Sequence, residues 1–409
     1  MKLAALLALS FGLWIGPLLA QPVEPHRTDI NPALLYWQSI VLTPVLSAED
    51  RTYLSTNEID GGPLTERLKN LTTSYNTAFR VIQQAALQTV PCDWGYDLTY
   101  GPTLLLPGLG KAKHFAQVEK FRFRAHLENH SASDAVQEWL AVRAFSHRLA
   151  TDGTLISRLV QIAMDSIQLT TLAENWFRLD EASLRALQRG IENSPRGGTI
   201  AESFAFERTM MRDWFLQQIE LIFKSTEDPG QRQKLILQRL QELSSDEDRG
   251  MPEKFFAAAH GKTENILPLL RQLDPLYDEA IQLLAMPYDE FARHIPGFEA
   301  TLQTNANPFV KLVFPQVQRA RAKEFTGQTL EAILKAALAR RLDGAAAFKA
   351  IVSPLTGKPF EVKPVESVGK SRGFLIRSGD PEKDPNRAQI FLESDGPPMR
   401  LRGPRVGIP

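Results

Sequence analysis

Disulfide stabilisation is excluded first, because the 409-residue chain holds a single cysteine, Cys92. Stability must come from core burial, which a chain of this length can supply. A lone cysteine most simply reads as a small buried apolar side chain. Asp93 beside it would raise its thiol pKa, which argues against a thiolate nucleophile. Charge of one sign is also lacking, with 47 Lys and Arg against 47 Asp and Glu. That balance points away from nucleic acid, and no acidic block forms a solvating tail. Beyond the N-terminal end, every apolar run is interrupted by Lys, Arg, Asp or Glu, so no later segment has the makings of a membrane span.

Several catalytic signatures are missing too. The sequence has no GxSxG elbow, HExxH pair, Walker loop or Rossmann glycine fingerprint. The pair His126 and His130 is four residues apart, as on one face of a helix end, but two ligands do not make a zinc site. No cofactor is implied.

What is present begins with MKLAALLALSFGLWIGPLLA, residues 1–20. Lys2 forms a positive n-region, an apolar h-region follows, and Gly16-Pro17 breaks it ahead of Ala20. The expectation is a secretory signal cleaved after Ala20, which places the protein in the periplasm or envelope of a bacterium. A membrane association would arise only through an uncleaved signal.

Most of the remaining chain carries the helical period. Asn31-Pro32 is an N-cap followed by a first-turn proline. Ser47 opens a short helix, and Leu64, Leu68, Leu71, Tyr75, Phe79, Ile82 and Ala86 step by three or four along residues 64–88. Further helices are expected over residues 104–127, from 133–134, from 154, from 180 to near 193, over 199–224, 234–243, 263–284, 288–293 and 308–341. After residue 343 proline replaces the period, and residues 361–365 and 373–378 read as two short strands. The expected architecture is all-α, an irregular array of antiparallel helical hairpins with a small β-containing C-terminal tail. Residues 1–20 form the signal, 21–343 the helical domain and 344–409 the proline-rich tail, which is expected to pack on the body through Phe360, Val362, Phe374 and Ile376 yet be dispensable for its folding.

One stretch stands apart. Residues 91–110, PCDWGYDLTYGPTLLLPGLG, gather helix breakers with Trp94, Tyr96 and Tyr100. Aromatics among glycine and proline predict an ordered loop pinned into a core, since rings bury large area. These three residues are the binding candidates, with a structural role as the competing reading.

The segments NPALLYWQ (31–38), PCDWG (91–95), TLLLPGLGKAK (103–113) and GTLISRLVQIAMD (153–165) carry a resemblance. They resemble a set of uncharacterised exported bacterial proteins built from TPR-like helical hairpins, which implies architecture and export. The tail segments PLTGKPFEV (354–362) and GFLIRSGDP (373–381) are similar to the C-terminal ends of pilin-like and type II secretion pseudopilin subunits, where an acidic loop can hold calcium. Here the N-terminal methylation signal of pilins is missing, and Arg377 and Pro381 interrupt the loop.

Two sites of chemistry remain as candidates. Glu202, before Ser203 in a helix, occupies the place lytic transglycosylases give their catalytic acid, although their Gly-Leu-Met-Gln element is missing. Asp380, Glu382 and Asp384 offer hard oxygens of the kind calcium takes, within a proline-rich turn. The leading expectation is a non-catalytic binding or scaffolding protein with another envelope protein as partner. The alternative is a glycan-cleaving hydrolase or lyase using Glu202.

Overall fold

The structure is a computed structural model that describes residues 27–56, 63–243, 250–314, 317–367, 370–378 and 389–393. Its first helices are α1 (Pro32–Val41), α2 (Ala48–Thr56), α3 (Glu66–Thr73) and α4 (Asn76–Ala86). The long hairpin helices follow as α5 (Leu109–Glu128), α6 (Ala132–Leu149), α7 (Leu155–Glu174) and α8 (Glu181–Glu192). A run of shorter helices comes next: α9 (Ile200–Glu207), α10 (Trp214–Ser225), α11 (Pro229–Leu243), α12 (Met251–Ala258), α13 (Ile266–Arg271), α14 (Asp274–Ala285), α15 (Tyr288–Thr304) and α16 (Pro308–Val313). The long α17 (Val317–Leu342) and the short α18 (Ala345–Ala350) close the helical part. The molecule is an all-α array of helical hairpins with a small β element at its C-terminal end.

The helix starts follow from side chains that satisfy otherwise orphaned backbone N–H groups. Asn31 accepts from the N–H of Ala33, Thr154 from Ser157 and Asp180 from Ser183. Thr199 and Glu202 form a reciprocal capping box at the start of α9. The expected helix over residues 64–88 is instead α3 and α4, broken at Ser74 and Tyr75. The hydroxyls of Thr72 and Ser74 donate to the carbonyls of Lys69 and Leu71 there, a local alternative to continued helix. The helix expected from residue 104 starts at Leu109, beyond Pro107. The expected helix over 199–224 is continuous but holds a π-helical turn, Arg208–Asp213, where Arg208 and Arg212 pair with Asp274 on α14. Helices α12 and α18 have no counterpart in the sequence reading.

Three apolar clusters build the body. The first joins α1, α3, α4, α5 and α6 around Tyr36, Phe79, Phe115 and Phe145. The second joins α6, α7, α8 and α17 around Trp139, Leu172, Leu184 and Leu334. The third holds the shorter helices around Phe215, Phe255, Tyr277 and Phe309, with Phe325 of α17 among them. Helix α7 touches all three: Leu155, Leu159 and Ile162 pack on the third, Leu169 belongs to the second and Met164 to the first. No helix among the described residues is long and apolar enough to cross a membrane.

The tail forms a three-stranded antiparallel sheet, β1 (Glu361–Ser367), β2 (Lys370–Arg377) and β3 (Gln389–Glu393), in that order. Val362 stands opposite Ile376, and Phe374 opposite Leu392. A lone hairpin is marginal in water, so the sheet needs a surface. It has one: Phe360 and Ile376, with Phe348 of α18, are buried in the second cluster, and Val362 and Phe374 pack against it. Phe374 meets Phe177 edge-on at 5.9 Å. The four tail contacts expected from sequence are therefore made.

Candidate functional site

The segment between α4 and α5 divides into an inner and an outer half. Trp94 is 6% exposed and donates its indole N–H to the Arg148 carbonyl over 2.9 Å. Its ring stacks on Tyr36 and Tyr96, with centroids at 5.9 and 6.4 Å, and Trp37 meets it edge-on. The Asn31 side chain clamps Asp93 by donating to its carbonyl at 2.7 Å and accepting from its N–H at 3.1 Å. Arg148, buried behind, donates to the carbonyls of Ala85 and Gln88 and so absorbs the C-terminal end of α4. Cys92 is half-buried, and burial pushes its thiol up to about 11, so the free cysteine is held as a thiol. Burial likewise pushes Tyr96 up to about 12.

The outer half is a 3-10 turn, Leu98–Thr103, begun by Asp97, whose side chain accepts from the N–H of Thr99. Trp214 donates its indole N–H to the Thr99 carbonyl over 2.8 Å. Gly101 has φ of 54°, and a Cβ there would stand 2.4 Å from the Trp214 ring, so only glycine permits the contact. This tether holds Leu98, Tyr100 and Leu105 in solvent, at 45%, 59% and 81% exposure. Trp94, Tyr96 and Tyr100 thus do not form one set: the first two sit in the first cluster's surroundings, and Tyr100 points outward.

A second site lies where α7 meets α17. A half-open cavity of about 300 Å³ is lined by α6, α7, α17, the end of α8 and residues 194–199. Residues at helical spacing turn toward it: Arg143 and His147 of α6, Arg158, Gln161 and Asp165 of α7, and Glu324 and Glu331 of α17. Arg158 reaches Glu324 at 3.1 Å, and Arg321 closes on the same carboxylate, which also accepts from the N–H of Ile200 at 2.9 Å. Arg143 and Lys335 each lie 3.1 Å from Glu331. His147 bonds through Nδ1 to the Pro195 carbonyl at 2.7 Å, and its Nε2 faces Asp165 at 3.4 Å. Burial pushes the Asp165 carboxyl up, but His147, Arg143 and the Ser146 hydroxyl outweigh it and hold it down at about 2. Glu331 is held below the usual carboxylate range because Arg143 and Lys335 outweigh its burial.

Glu202 stands at the edge of this region, not among the cavity-lining residues. Its carboxylate accepts from the N–H and hydroxyl of Thr199, both at 2.9 Å, and from Arg196 at 2.7 Å, and its side chain is 55% exposed. Its observed duty is to cap α9. Asp380, Glu382 and Asp384 lie outside the described residues. His126 sits on α5, 3.5 Å from Glu138, whereas His130 lies past the end of α5 with φ of 59°, so the two do not share a helix face. Among the described residues no three His, Cys, Asp or Glu side chains come together as a metal-binding group.

No motif in the sequence announces the cavity. Its signal was a second stripe on α7, polar rather than apolar: Arg158, Gln161, Asp165 and Gln168 recur at three- and four-residue steps beside the apolar ones. A scan of protein-family models, a search of curated proteins and a search of solved structures gave no significant match.

Proposed function

We propose that the chain is an exported, non-catalytic binding or scaffolding protein of the bacterial envelope, which contacts another envelope protein through the turn at residues 98–105. The carrying observation is the pairing of exposure with rigidity in that turn. Aromatic side chains such as Tyr are among the anchors from which protein interfaces draw much of their energy, with apolar neighbours excluding water around them. Here Tyr100 and Leu105 are exposed on a backbone tethered to Trp214, so little conformational freedom is lost on docking. Arrays of helical hairpins, including TPR-like ones, commonly present surfaces to protein segments, which agrees with this reading. The N-terminal order of Lys2, apolar run and Gly16-Pro17 supports export.

The test replaces Tyr100 and Leu105 by serine in the full-length protein. Both side chains are exposed, so the variant keeps the wild-type melting temperature within a few degrees. A specific partner retained by wild type should be lost by the variant. Undiminished retention would overturn the assignment of the turn. For export, the expected N terminus of envelope material is Gln21, and a protein that still begins at Met1 would contradict cleavage.

A further inference from the structure

We propose that the half-open cavity between α6, α7, α8, α17 and residues 194–199 binds a small organic anion, its carboxylate or phosphate held by Arg143 and Arg158 and its apolar part lying on Ile162, Leu169 and Ile191. The site is distinct from the turn at residues 98–105 and does not depend on the partner assigned to it.

Charge is concentrated around the cavity. Arg143, Arg158, Arg321 and Lys335 surround Glu324 and Glu331, and each of these carboxylates is shared by two of the four cations. Asp165, the remaining carboxylate, is engaged by His147 and by the hydroxyl of Ser146 at 2.8 Å. The buried cations Arg143, Arg158 and Arg321 thus face three carboxylates, and the half-exposed Lys335 competes with Arg143 for Glu331. Arg143 and Arg158 each share their carboxylate with a second cation, and a bound anion gives them a partner of their own.

The two arginines are buried yet incompletely bonded. Arg143 is 3% exposed and Arg158 is 8% exposed, and both line the cavity. Each uses one terminal nitrogen on its carboxylate, which leaves the other terminal nitrogen for a ligand. Guanidinium groups offer five donors in a fixed fork that matches carboxylate and phosphate oxygens. These two have donor capacity in hand beside the cavity.

The shape of the cavity suits a small guest. A Cβ on Gly197 would come 2.2 Å from Gln161 Nε2, so the backbone of the 194–199 loop lies directly over α7 as a roof. On the opposite wall a Cβ on Gly327 would meet only Ile162, at 3.9 Å, so glycine leaves room there. Ile162, Leu169 and Ile191 supply the apolar part of the lining. A volume of about 300 Å³ is at the small end of ligand cavities and suits a compact molecule. Arg196, at the mouth and paired with Glu202, is the one largely exposed cation of the lining and marks the way in.

The experiment is calorimetric titration of the full-length protein with butyrate and, separately, with inorganic phosphate, at constant ionic strength. Saturable binding of at least one is expected. Butyrate alone, or in preference, assigns a carboxylate with an apolar chain, whereas phosphate in preference assigns a phosphate ester. Arg143→Gln should weaken binding at least tenfold. Because that change also alters the ion pair with Glu331, Gly327→Leu serves as the second variant. It fills the cavity without touching a charge and should abolish binding while leaving the far-ultraviolet helical signal intact. Absence of saturable binding of both anions to wild type, or equal binding by wild type and Gly327→Leu, would overturn the proposal.

Discussion

Trp214, the first residue of α10, donates its indole N–H to the carbonyl of Thr99, 115 positions earlier in the chain, over 2.8 Å. The bond joins the third apolar cluster to the segment that the first cluster anchors at Trp94. It also sets the orientation of the exposed turn.

Gly101 is the point at which this tether is most sensitive. Alanine there would adopt a left-handed backbone and press its Cβ into the Trp214 ring. Strain of about 1–2 kcal/mol from the backbone and about 1–3 from overpacking are the expected losses. Denaturant unfolding measures them, and a Gly101→Ala protein as stable as wild type would show that the turn is not held by Trp214.

Trp94 and Tyr100 should behave oppositely. Trp94→Ala removes a buried ring stacked on Tyr36 and should lower stability by about 3–5 kcal/mol. Tyr100→Ala removes an exposed ring and should stay within about 0.5 kcal/mol of wild type. Equal losses from both would mean that the segment does not divide into a structural and a presenting half.

The carboxylates give opposite pH signs. Glu119 on α5 is fully buried with neither oxygen hydrogen-bonded, and burial, with Glu138 nearby, raises it well above the usual range. Its raised value in the folded state lowers stability as pH rises past about 4.3, the unfolded value, toward the folded one. Glu119→Gln should therefore match wild type near pH 4 and become progressively more stable than it toward pH 8. A variant less stable than wild type at pH 8 would contradict this. Asp165 behaves in reverse: its contribution is complete above its unfolded value and is lost as pH falls toward about 2.

Much of this architecture was legible in the residues. Asn31, Thr154 and Asp180 begin helices because their side chains accept from backbone N–H groups, a local signal that needs no tertiary knowledge. The break in residues 64–88 was not legible, because an apolar period continues across a kink when both halves bury the same face, whereas those in 263–284 and 308–341 are marked in the sequence by Pro275 and Pro315. The burial of Trp94 followed from its ring and its neighbours. The exposure of Tyr100 did not, because it depends on Trp214, far away in sequence. The cavity escaped for the same reason. Arg158 and Glu324 are 166 positions apart and only the packing of α7 on α17 pairs them.

The tail was expected to be dispensable, and the structure now sets the scale of its removal. Deleting residues 344–409 strips Phe348, Phe360 and Ile376 from the second cluster. Burial of each such side chain contributes about 1.5–3 kcal/mol. The truncated protein should keep a helical signal but unfold at markedly lower denaturant. Unfolding at the wild-type midpoint would show that the sheet adds nothing to the body.

The central claim is that the turn at residues 98–105 meets a partner. A photoreactive phenylalanine analogue placed at Tyr100 in living cells tests it most directly, with Gln38, exposed on α1, as the control position. The account predicts a discrete adduct of higher mass on irradiation at position 100 and none at position 38. No adduct at 100, or the same adducts from both positions, would contradict it.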